Sequence, residues 1–215
     1  MSFLKNVRTP EKRYPVKKQI AITVGVLLIG ILLGTFSKFL DYRQAELPSF
    51  LMSVDQALNL HNFLGVFAPW IIITVYISVK SDTPLRAGIN VFIFFAGMVT
   101  SYYLYSNFVA GFFPRSYAMT WGALSLISPI LAFICWYAKG KGWISLIISS
   151  GILAFIINST LSYGIWYVDI PSLLHLVMLI LGIVILRRSI KETVCIIGIS
   201  VPFAIILKMI IPFWI

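Results

Sequence analysis

No Asp or Glu interrupts the middle of any of the seven apolar runs that recur along this chain, at residues 20–40, 61–79, 87–105, 118–137, 143–163, 172–186 and 193–213. A soluble fold would need polar surface to coat them. With 60% hydrophobic and 11% charged residues and a mean hydropathy of +0.95, the chain has too little of it. Most runs are long enough to cross a bilayer at about 1.5 Å per residue. The chain is therefore predicted to be an all-α polytopic membrane protein. A basic segment at residues 1–19 is followed by one transmembrane helical domain at residues 20–215, with no linker or second domain.

The first run is too long for the apolar core of a signal peptide, and no Ala-x-Ala-like cleavage site follows it, so it is expected to be the first membrane helix. The sixth run is the shortest, and the count depends on its crossing fully. The runs at 87–105 and 118–137 form a hairpin whose outer flanks carry Lys80, Arg86, Lys139 and Lys141. Residues 49–60, with Phe50, Val54 and Leu58 at near-helical spacing, read as a short amphipathic helix at the interface.

Charge sets the orientation. The N-terminal segment carries Lys5, Arg8, Lys12, Arg13, Lys17 and Lys18 against a single Glu11, and the alternate loops add Arg187, Arg188 and Lys191 to the four hairpin flanks. The opposite loops hold only Arg43 and Arg115. Seven spans, N-in and C-out, satisfy every short loop. Lys38 and Lys208 lie near outer helix ends, where their stems can snorkel outward. The net charge of +10 thus falls in clusters suited to orientation and to anionic lipid heads rather than to nucleic acid, and no nucleic-acid partner is expected. Cys135 and Cys195 are expected to be free thiols; no metal and no cofactor is expected.

Two stripes of small or polar residues call for a protein neighbour. Gly30-Ile-Leu-Leu-Gly34 has the small-xxx-small spacing that lets helices approach closely. Gly151, Ala154, Asn158 and Ser162 share one helix face, and an amide in hydrocarbon needs a partner. Pro69, Pro129 and Pro202 each fall near the middle of a run and free a backbone carbonyl, to be met either by a wet cavity or by neighbouring helices.

The outer half collects the polar and aromatic residues. Asp41, Glu46, Asp55, His61, Asn107, Asp169 and His175 gather there with a set of Tyr and Trp that includes Tyr103 and Trp121. The candidate ligand residues are Tyr103, Trp121, Asn158, Asp169, His175 and His61. Gly30, Gly34, Gly151 and Asn158 are the candidate packing residues, and no catalytic residue is assigned. The aromatic and acidic balance suits a cationic or heteroaromatic solute. The histidines lack metal-ligand spacing, and His175 in the first turn of its helix suits a neutral hydrogen-bonding role. No intramembrane carboxylate relay, Walker loop, GxSxG elbow or TVGYG filter is present.

Residues 88–105 and the run Ser128-Pro-Ile-Leu-Ala-Phe-Ile-Cys-Trp-Tyr-Ala-Lys-Gly-Lys-Gly-Trp143 resemble segments of a family of small multi-pass membrane proteins from Gram-positive bacteria, a domain without an assigned function. That resemblance implies a bacterial cytoplasmic membrane and carries over no functional residues. In architecture the chain is also similar to the substrate-capture subunits of energy-coupling-factor vitamin transporters, although those have six spans and Ala-xxx-Ala where this chain has Gly30-xxx-Gly34. The expected function is binding or permeation of a small solute from the extracytoplasmic side, driven by a membrane-protein partner or by the solute's own gradient. The alternatives are an accessory protein that assembles with another membrane protein, or with itself, through the two stripes, and a membrane-embedded enzyme built on the outer His/Asp set.

Overall fold

A computed structural model describes residues 6–10, 13–43 and 46–210. Lys5, Glu11, Lys12 and the end of the seventh apolar run lie outside them. The chain runs through α1 (Val16–Tyr42), α2 (Ser49–Leu58), α3 (Leu60–Gly65), α4 (Phe67–Lys80), α5 (Pro84–Phe108) and α6 (Arg115–Trp136), which tightens into a 3₁₀ turn at Tyr137–Lys139. There follow α7 (Gly142–Thr160), a two-stranded antiparallel ribbon of β1 (Ser162–Tyr163) and β2 (Val168–Asp169), α8 (Leu173–Leu186) and α9 (Ile190–Ile210). Among the described residues five helices are long and apolar enough to cross a membrane: α1, α5, α6 with its 3₁₀ turn, α7 and α9. The protein is a multi-pass helical membrane protein. The helices α4 and α8 are apolar but have 14 residues each.

The second apolar run is not one helix. It breaks between α3 and α4 at Val66. Pro69 is the cause: its ring crowds the carbonyl four residues back, at Gly65, and it offers no N–H to that carbonyl. Pro129 acts differently and stays inside α6. The carbonyl it leaves without an amide is that of Ser125, and Ser128 Oγ donates to it at 2.8 Å. The carbonyl freed by the proline is thus met neither by a wet cavity nor by a neighbouring helix but by a hydroxyl of α6 itself.

Local chemistry sets the helix starts. Thr83 Oγ1 accepts from Arg86 N ahead of Pro84 at the head of α5. Ser189 and Glu192 close a reciprocal capping box at the head of α9, with Ser189 N donating to the carboxylate and Glu192 N to the hydroxyl. At the end of α2, Asn59 takes the left-handed conformation (φ 53°) that asparagine tolerates.

The chain falls into two compact units, one built from Pro10–Gly65 and Lys80–Phe133, the other from Met1–Thr9, Val66–Val79 and Ile134–Ile215. In the first, α1 and α5 lie parallel and very close. Gly30 sits on the Phe94 carbonyl and Gly34 on the Met98 carbonyl and Ser101 Oγ, while a Cβ at Gly97 would stand 2.9 Å from the Leu27 carbonyl. Toward the heads of the two helices, Thr23 Oγ1 donates to Asn90 Oδ1 (2.8 Å) and Arg86 donates to the Gln19 carbonyl and to Thr23 (both 2.7 Å). The helix α6 returns antiparallel, with Gly88 against the Pro129 carbonyl.

In the second unit, Ile72, Val75 and Val79 of α4 pack with Leu153 and Ile156 of α7, Leu186 of α8 and Ile196 of α9. Here α7 and α9 are the parallel pair, joined by Arg188 to Ser145 (2.9 Å) at one end and by Asn158 to the Ala204 carbonyl (2.9 Å) toward the other. The N-terminal segment closes the first of these ends. Val7 O accepts from Lys141 N (2.6 Å), and Arg8 donates to the carbonyls of Val79 (3.1 Å) and Trp136 (2.5 Å) while lying over the Trp136 ring (4.1 Å). Lys139 donates in turn to the Arg187 carbonyl at the end of α8.

Parallel pairing constrains the connections. A chain that leaves the C-terminal end of α1 and enters α5 at its N-terminal end must travel back along the pair. Between α7 and α9 the return is made by α8.

Candidate functional site

Where α1 and α5 end side by side, the buried polar groups include a lysine, Lys38, together with Ser37 and Ser106. Both ends present helix C-termini, whose unpaired carbonyls carry partial negative charge. Lys38, one turn from the end of α1, answers that charge. Rather than snorkelling outward, its side chain is only 7% exposed. The ammonium pairs with Asp41 Oδ2 at 2.5 Å and lies 5.3 Å from the Tyr102 ring centroid and 5.5 Å from that of Phe112. The sequence missed this because a lysine near a helix end normally finds water along its own stem. The signal that could have found it is Asp41 at the i+3 position, beside the aromatic cluster of α5.

The connection from α5 to α6 folds back over this place. Ser106 Oγ donates to the Phe112 carbonyl (2.6 Å) and Phe112 N to the Ser106 carbonyl (3.0 Å), which brings Phe112 and Phe113 to the helix ends. Tyr103 lies among them, its ring 5.1 Å from Tyr102 and 5.6 Å from Phe113. It is 8% exposed, and its hydroxyl is buried without a hydrogen-bond partner among the described residues. A buried O–H left so costs free energy. Just beyond, Arg43 pairs with Glu46, and that carboxylate raises the guanidinium above its ordinary value.

The other candidate residues are held differently. His61 Nδ1 lies 2.8 Å from Asp55 Oδ2, and Asp55 also accepts from the His61 backbone N–H (2.9 Å), so the pair ties the turn at Asn59. Trp121 is half-buried on α6, its carbonyl accepting from Ser125 Oγ. In the second unit Asn158 is 1% exposed and uses both ends of its amide: Nδ2 donates to the Ala204 carbonyl at 2.9 Å, and Oδ1 accepts from the Tyr163 hydroxyl at 2.6 Å. Lys208 donates to the Tyr163 carbonyl and lies 4.1 Å from that ring's centroid. His175 is buried near the N-terminal end of α8 with Nδ1 2.8 Å from Ser172 Oγ. Asp169 is exposed on β2, opposite Ser162.

The six ligand candidates thus divide three and three: His61, Tyr103 and Trp121 in one unit, Asn158, Asp169 and His175 in the other. Asn158 acts as a clamp between α7, α9 and the ribbon. Gly151, expected on the same packing stripe, has no atom within 4 Å of where its Cβ would stand, so the close packing there is made by Ala154 and Asn158 instead. Replacing Asn158 with leucine is expected to cost about 1–2 kcal/mol, the range of interhelical hydrogen bonds in membranes. Combined with Tyr163→Phe the two losses should fall short of additive in a thermal-melting double-mutant cycle, since both break the same bond.

Among the described residues no three His, Cys, Asp or Glu side chains converge. What the ends of α1 and α5 offer is a buried cation, its half-exposed counterion, an unpaired phenol and aromatic walls. No family model, curated protein or solved structure matches the chain.

Proposed function

We propose that this protein crosses a bacterial cytoplasmic membrane seven times, N-in and C-out, and binds or passes a small solute from the extracytoplasmic side, with a membrane partner or the solute gradient supplying energy. The observation that carries the solute reading is the Lys38–Asp41 pair beside the unpartnered Tyr103 hydroxyl, because an ionisable group held at membrane depth is costly and is kept for a purpose. The seven-span reading draws on the parallel pairing of α1 with α5 and of α7 with α9, which asks for a return crossing within each pair. It draws also on the N-terminal segment meeting the head of α7 while Lys208 of α9 meets the residues just beyond the tail of α7.

Reporter fusions test the topology. An enzyme active only outside the cytosol should report after Tyr42 and after Ile210 and stay silent after Asp82; activity after Asp82 would sink the return crossing. The solute reading is tested by thermal melting of the detergent-purified protein across a metabolite library. A specific ligand at one hundred times its Kd should stabilise by about 2.7 kcal/mol, and Tyr103→Phe should diminish the shift. A library without any stabilising member would count against binding.

The accessory reading is weakened at one point. Gly30 and Gly34 are covered by α5 of the same chain, so they present no surface to a second protein.

A further inference from the structure

We propose that the Lys38 ammonium is the recognition point for a small organic anion, a carboxylate on an apolar or aromatic body, and that Asp41 holds its place when no such anion is bound. This rests on the solute-binding reading and names the class of solute. An ammonium has three N–H donors, and Asp41 engages one. The Tyr103 hydroxyl adds a buried donor that has no acceptor among the described residues. Donors are therefore in excess, and what would satisfy them is an oxygen anion.

Exposure decides which partner of the pair can be exchanged. The Lys38 side chain is 7% exposed and that of Asp41 50%. A half-exposed carboxylate can turn to water at little cost, whereas the buried ammonium cannot leave without stranding its charge. The exchange of lowest cost is thus one anion for another. A cationic solute would instead have to evict Lys38, which already occupies the space facing the Tyr102 and Phe112 rings. Those rings and Phe113 form an apolar wall for the body of the anion, and its second oxygen is assigned to the hydroxyl of Tyr103, whose ring packs on Tyr102 and Phe113.

Benzoate and benzylammonium, alike in body and opposite in charge, test this on the full chain in detergent by equilibrium titration and thermal shift. Benzoate is expected to bind and benzylammonium not to. Asp41→Asn removes the competing anion and should tighten benzoate by about two- to fivefold. Tyr103→Phe should weaken it by about tenfold or more, and Lys38→Met should abolish it. The opposite signs of the Asp41 and Tyr103 effects keep the test decisive even if the Lys38 variant fails to fold. The proposal is overturned if benzoate binds neither the native protein nor Asp41→Asn, if Lys38→Met still binds it, or if benzylammonium binds and is lost with Asp41→Asn. A library ligand indifferent to both Asp41→Asn and Tyr103→Phe would overturn this assignment and leave solute binding standing; a library without any ligand would remove both.

Discussion

Leucine at position 34 is expected to part α1 from α5. The atoms that a side chain there would strike are the Met98 carbonyl and the Ser101 hydroxyl. The carbonyl belongs to a helix backbone and cannot turn aside, so relief must come from moving one helix against the other. That movement would also break the Ser101 bond to the Ile31 carbonyl (3.0 Å) and the Thr23–Asn90 and Arg86–Thr23 bonds nearer the heads. Overpacking of this kind costs about 3 kcal/mol or more, which for a chain of this size lowers the melting midpoint by roughly 6–12 °C. Gly25→Leu is the control: nothing lies within 4 Å of that position, so the midpoint should hold. Equal losses in the two variants would mean that helix propensity, not contact with α5, sets the result.

Reversing the charge at Arg8 should have an effect of similar size. One guanidinium serves the last carbonyls of α4 and α6 and stacks on Trp136. Arg8→Glu deletes both charge-assisted bonds and sets a negative group against two negative helix ends, at a combined cost of about 3–4 kcal/mol. Residues 6–9 should come away, and trypsin should cut the N-terminal segment of the purified protein faster. Arg8→Lys keeps the charge but lacks the planar fork that reaches two carbonyls, and should fall midway. Unchanged melting and unchanged cleavage in Arg8→Glu would show that the segment is not held by this residue.

Much of the architecture was legible because hydrocarbon imposes simple demands. The apolar runs are helices, and residues 49–60, read as a short helix, hold α2 at Ser49–Leu58. Asn158, singled out because an amide in lipid must find a partner, has two. Pro69 was read as lying in the middle of one span, but the break falls three residues earlier, since a proline disturbs the turn before it. The ribbon at Ser162–Asp169 was invisible because strands of two residues leave no periodicity to detect. At the candidate site Tyr103 could be named from the sequence, whereas Lys38 could not. Its burial depends on which helix lies beside α1, and hydropathy says nothing about neighbours.

The short helices carry a consequence for the lipid. Fourteen residues rise about 21 Å, whereas the hydrocarbon layer is about 30 Å thick, so α8 cannot match an undisturbed bilayer end to end. On the proposed seven-span reading, either the bilayer dimples around it or water follows the ribbon inward to its head at Ser172, and both shorten the oily distance that a polar molecule must cross. Reconstituted into vesicles of graded acyl-chain length, the protein should therefore favour the shorter lipids.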